Sequence, residues 1–213
     1  MKTEELVNLL AAGVEPVDAR ARWRGVAAAL GIGVVAAVLL MAGLLGIEPR
    51  LASETHLGQF WLRESFCAVV GLGALLCVRR LAHPGARLGF APLALAVPLL
   101  LMWFVAAAVL LDAEPGERVP LLMGHTARVC SALIALVSAP VFVAVIWAMR
   151  RHAPTRLRLS GAAAGIAAGG VGALVYTLHC PELAPPFLAV WYVLGMMVPM
   201  AVGALLGPRL LRW

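Results

Sequence analysis

From Val26 almost to its last residue the sequence is a succession of six apolar stretches, each close to the length that crosses a lipid bilayer, divided by short charged connections. About 20 residues at roughly 1.5 Å of rise each span a hydrocarbon core of about 30 Å. Windows of that length run from near Val26 to Ile47, Phe90 to Leu111, Cys130 to Met149, Leu157 to Leu178 and Phe187 to Leu206. The remaining window, second in chain order, is less uniform. Its uninterrupted apolar run, Phe66 to Val78, must extend to Phe60 and Leu81 to cross. That extension puts Arg63 and Glu64 in the outer interface, where adjacent opposite charges snorkel or pair, with Cys67 about one turn deeper. The expected fold is all-α, a polytopic bundle of six transmembrane helices with short loops.

Composition agrees with the bilayer as the main solvent. The 213 residues are 62% hydrophobic and 13% charged, against roughly 45–50% and 25% in soluble domains, and the mean hydropathy is +0.94. The longest polar piece is residues 1–24, so no soluble enzyme domain fits. The chain divides into a segment 1–24 and a membrane domain 25–213. The first helix reads as an uncleaved anchor, because a long polar segment precedes a full-length span. A net charge of +6 does not indicate direct nucleic-acid binding here, since the arginines flank apolar spans and set their orientation.

With the N-terminus inside, thirteen of the 17 Lys and Arg residues are cytoplasmic, leaving Arg50, Arg63, Arg118 and Arg128 outside. That asymmetry places both termini in the cytoplasm of an inner-membrane protein. Gly161, Gly165 and Gly169 recur at every fourth position of the fifth span and suit either a homo-oligomer contact or packing within the bundle. Pro98, Pro140 and Pro199 fall inside spans as candidate kinks.

Orientation also sorts the four cysteines, which carry no CxxC spacing. Cys130 falls at the outer mouth of the fourth span and Cys180 just past the outer end of the fifth, so they share a depth and an oxidising compartment. His125 and His179 accompany them, a thiolate and imidazole set suited to a soft or borderline metal. A nearby imidazolium, or Arg128, would lower a thiol pKa. Sensor thiols, a permanent disulfide and plain helix-end residues all remain open at this point. Cys67 and Cys77, inside the second span, read as small apolar residues.

At the other side of the membrane, Thr3 can cap a helix with Glu4 and Glu5 in its first turn and an apolar stripe of Leu6, Leu9 and Leu10. Such a stripe needs a partner: the lipid surface, the protein's own helices or a groove on another protein. No span carries the row of ionisable residues that transport requires. No phosphate loop, HExxH site or exposed Ser, His, Asp set is present. A thiol oxidoreductase, expected to carry a CxxC and a second periplasmic pair, and a small metal transporter are the alternatives from other classes.

The opening MKTEELVNLLA with a Pro-containing linker, six spans, Cys130 in ARVC, and LHCPE at Leu178–Glu182 before Trp191 and Tyr192 together resemble the NrsF family of negative regulators of sigma F. The resemblance covers essentially the whole chain. It implies a membrane anti-sigma factor, not an enzyme, that holds an extracytoplasmic-function sigma factor through the N-terminal segment. It further implies release on heavy-metal or oxidative stress through Cys130 and Cys180, with no cofactor required beyond a transient heavy-metal ion. Cys67 and Cys77 have no counterpart in that resemblance. The HxxxCxxC motif of the soluble anti-sigma domain is absent, so the mode of sigma binding must differ from that class.

Overall fold

The computed structural model describes residues 3–11, 19–49, 55–83, 85 and 88–212. The linker residues 12–18, part of the connection between the first two spans (50–54) and the Leu10 side chain lie outside the described ones. All regular structure among the described residues is helical: α1 (Thr3–Ala11), α2 (Ala19–Leu44), α3 (Gly58–Leu81), α4 (Ala91–Asp112), α5 (Arg118–Met123), α6 (Ala127–Arg150), α7 (Leu157–Tyr176) and α8 (Pro185–Leu210). Six of them are long and apolar enough to cross a membrane, matching the six windows. The short α5 lies in what reads as a loop in the sequence.

Helix α7 is the axis of the bundle and packs against α8, α3 and α6. Its small residues explain why. A Cβ on Gly161 would meet Gly203 O, one on Gly165 would meet Pro199 O, and one on Gly169 would lie 2.8 Å from Met196 Cα, so the glycine row is the α7–α8 contact. On another side, a Cβ on Gly170 would sit 2.7 Å from the Gly71 backbone of α3. Of the two roles open to the glycine row, packing within the bundle is the one it performs here. Helices α2 and α4 are peripheral and show large apolar side chains outward, Ile32, Val35 and Leu39 on one, Leu100, Leu101 and Phe104 on the other. Such faces suit lipid and would associate in water.

Helix α8 contains a π turn at Leu188–Tyr192. The wider turn disturbs the carbonyl ladder, and side chains supply donors at this point: Trp103 Nε1 to Ala189 O at 3.1 Å and Ser131 Oγ to Trp191 O at 2.8 Å. Trp191 Nε1 in turn donates to Leu122 O in α5 at 2.9 Å. The result is a rigid end of the bundle in which α4, α5, α6 and α8 are cross-tied.

Candidate functional site

That end of the bundle carries the thiols. Cys130 lies in the first turn of α6, and Cys180 follows α7 in the non-helical stretch before Pro185. α6 and α7 are packed neighbours, and the two cysteines share one core cluster. Neither lies open at a mouth: Cys130 is 0% and Cys180 1% exposed, and both are free thiols. Cys67 joins the same cluster from α3. The sequence places it one turn deeper and apart; the bundle puts it beside the pair. Cys77 belongs to a different cluster.

The Cys180 turn is held from three directions. From α3, the fully buried Arg63 donates from Nη1 to Cys180 O at 2.6 Å and to Glu182 O at 3.2 Å. Its Nε and Nη2 each lie 3.3 Å from Glu64 Oε1; the Nη2 separation is that of an ion pair without hydrogen-bond alignment. Glu64 also accepts from Thr177 Oγ1 at 3.0 Å. Arg63 and Glu64 therefore pair, as their adjacency suggests, but Arg63 points into the bundle and does not snorkel outward. From the α5–α6 turn, His125 donates its backbone N–H to Glu182 Oε1 at 2.6 Å. Gly124 makes room for that carboxylate: its φ is +49°, and a Cβ there would sit 2.7 Å from the carboxylate atoms. From α2, Glu48 N–H donates to Leu178 O at 2.9 Å and Gly46 O lies 3.1 Å from His179 Nδ1.

The electrostatics favour one sulfur. The Cys180 thiol pKa is lowered to about 6, first by the hydrogen bond from the Cys130 thiol, against the opposing effect of burial, and then by the Glu182 backbone N–H and the Tyr192 and Thr126 hydroxyls. Thr126 Oγ1 lies 3.8 Å from Cys180 Sγ. The Tyr192 hydroxyl is buried, makes no aligned hydrogen bond, and stabilises the thiolate from a longer range. The π turn sets Tyr192 there, with its ring centroid 6.0 Å from that of Tyr176. Arg128, which the sequence offers for thiol activation, is exposed on α6.

The four candidate metal ligands are not gathered. His179 turns to Gly46 O, His125 is exposed and contributes its backbone, and among the described residues no three His, Cys, Asp or Glu side chains group to hold an ion. Residues that sequence reasoning left without a role in this site are Arg63, Glu64, Thr126, Tyr176 and Tyr192. One signal was available for the first two, since an ionisable pair within a span marks a functional position by default.

The tail is a helix as expected. Helix α1 begins at Thr3, with Glu4 and Glu5 in its first turn, and Leu6, Val7 and Leu9 are exposed.

A family model described as "Negative regulator of sigma F" (NrsF) matches residues 10–213. The chain is 48% identical over 213 residues to the probable anti-sigma-F factor NrsF of Azospira oryzae, with 100% of both chains covered. It is 36% identical over 231 aligned residues to the anti-sigma-F factor NrsF of Caulobacter vibrioides, again with 100% of both covered. No solved structure matches.

Proposed function

The chain belongs to the NrsF family of negative regulators of sigma F, and from that premise we propose that it is a non-enzymatic anti-sigma factor of the bacterial inner membrane. In this reading the N-terminal segment, cytoplasmic like the C-terminus, sequesters an extracytoplasmic-function sigma factor. Oxidative or heavy-metal stress in the periplasm acts on Cys130 and Cys180 and releases it.

The observation that carries the proposal is the path between the two ends. The turn bearing Cys180 is hydrogen-bonded through Leu178 and His179 to Glu48 and Gly46, at the end of α2. Helix α2 then runs without a break from Leu44 back to Ala19, about 39 Å for its 26 residues, and leads to the exposed stripe of α1. In this reading a disulfide or a bridging metal that repositions the turn displaces one end of α2, the helix that follows the N-terminal segment in the chain. Shifting occupancy from 1:99 to 99:1 takes about 5.5 kcal/mol of preference for one state, which a thiolate-bound metal can supply, while a new disulfide, worth up to about 5 kcal/mol, shifts it most of the way.

The test is a reporter driven by the cognate sigma factor in cells carrying Cys130→Ser, Cys180→Ser or both. Each variant should keep repression and lose induction to the same extent, because two residues acting through one bond are non-additive. Cys67→Ala and Cys77→Ala should induce normally. Full induction in either serine variant would remove the pair from sensing.

A further inference from the structure

The two thiols sit in unequal surroundings. Cys180 is on a non-helical turn one residue from the exposed Pro181, and Thr126 Oγ1 approaches its sulfur at 3.8 Å. Cys130 is fixed in a helix and fully buried. Arg63 holds the carbonyls on either side of Pro181, those of Cys180 and Glu182, and so fixes the turn in which the Glu182 N–H meets the Cys180 sulfur. One donor of this cage, the fully buried Tyr192 hydroxyl, makes no aligned hydrogen bond and faces the Cys180 thiolate. A buried hydroxyl without an aligned partner beside a thiol is suited to donate to an oxygen that gains charge during a displacement. With so little exposure, the reagent must be small, and an uncharged one enters at the least desolvation cost.

We propose that Cys180 is the attacking thiol and Cys130 the resolving thiol toward a small uncharged hydroperoxide, with Thr126 and Tyr192 lining the reacting sulfur and Arg63 as the residue that positions its turn. The assignment rests on the sensor reading given above and divides the labour within the pair.

The chemistry balances with hydrogen peroxide as oxidant. The Cys180 thiolate attacks one peroxide oxygen, an S–O bond forms, the O–O bond breaks, and hydroxide leaves and takes a proton to become water. The Cys130 thiol, losing its proton, then attacks the Cys180 sulfur; the S–S bond forms, the S–O bond breaks, and the departing hydroxide takes that proton as a second water. Two thiols lose two electrons and one peroxide becomes two waters. The lowered pKa of Cys180 supports this order, since the thiolate is the nucleophile.

The experiment uses the full-length protein in lipid nanodiscs, treated with hydrogen peroxide in the presence of dimedone, with adducts located by peptide mass spectrometry. In Cys130→Ser the adduct should accumulate on Cys180. In Cys180→Ser the Cys130 adduct should form at least tenfold more slowly. Within the Cys130→Ser background, Arg63→Gln should move the pH midpoint of Cys180 capture up toward the ordinary thiol value of about 8.5, and Arg63→Lys should restore part of the shift. A Cys130 adduct formed as fast as the Cys180 adduct, or a pH midpoint unmoved by Arg63→Gln, overturns the assignment. Should Arg63→Gln not fold, Thr126→Val takes its place with the same expected direction, and the comparison of the two serine variants decides the attacking thiol by itself. The reporter separates the two levels: if both serine variants lose induction while peroxide captures Cys130 first, the pair remains the sensor and only the division of labour falls. If neither loses induction, the sensor reading falls with it.

Discussion

Arg63 and Cys180 stand 117 positions apart in the chain, yet Arg63 Nη1 donates to the Cys180 carbonyl oxygen at 2.6 Å. A guanidinium with no solvent exposure thus anchors the turn that carries Cys180. The cost of burying that charge is offset by Glu64, by two carbonyls and by the Phe60 ring, whose centroid lies 5.4 Å from the guanidinium carbon.

Removing the anchor should therefore cost stability as well as geometry. Arg63→Ala leaves two carbonyls without their donor and Glu64 without its counter-charge. The expected loss is about 3 kcal/mol, the lower end for breaking a buried pair, because Glu64 keeps some contact with solvent. Denaturant unfolding of the purified protein in detergent measures it. An unchanged midpoint would mean that the turn finds other donors.

Cys180 should react as a thiolate under mildly acidic conditions. A lowered acid pKa means the charged form persists as pH falls, until the folded value of about 6 is reached. The stability this shift contributes is complete above the ordinary thiol pKa and is lost as pH falls through that folded value. In Cys130→Ala the main stabilising donor is gone, so the alkylation midpoint of Cys180 should rise above that of the wild type. Iodoacetamide labelling across pH 5 to 9 reads both midpoints, and equal midpoints would separate the two sulfurs.

Glycine positions on α7 should tolerate nothing larger. In Gly165→Leu the added side chain meets the Pro199 carbonyl and the Met200 backbone, atoms that cannot yield as a side-chain tip does. Overpacking of this kind costs about 1–3 kcal/mol and often more at a backbone contact. Size-exclusion chromatography should show aggregated or degraded protein, while Gly43→Leu, with nothing within 4 Å of its Cβ, should stay monodisperse. A folded Gly165→Leu protein with an altered oligomeric state would instead assign the stripe to self-association.

The tail should be separable from the bundle. Leu6 and Leu9 are 43% and 66% exposed, so Leu6→Asp with Leu9→Asp should leave insertion and thermal stability unchanged. Co-purification of the sigma factor should fall at least tenfold, with constitutive transcription in cells. Retention of the sigma factor at the wild-type level would move the contact to the arginine-rich loops between α3 and α4 or between α6 and α7.

Much of this molecule was written in its hydropathy. Six windows of apolar residues became the six long helices, because a span's length is set by bilayer thickness and by a fixed rise per residue, both local quantities. The helix at Thr3–Ala11 and the neighbouring positions of Cys130 and Cys180 followed from equally local signals, a periodic stripe and a short connection between consecutive spans. What surrounds those thiols did not. Arg63, Thr126 and Tyr192 come from three different helical regions, and hydropathy says nothing about which way an arginine at the edge of a span will turn. That Arg63 points inward, that a π turn aims Tyr192 at the sulfur, and that Cys67 joins the pair were decided by the rotation and depth of helices packed through α7. Helix rotation is fixed by side-chain interlocking between segments distant in sequence, which is why only the assembled bundle shows it.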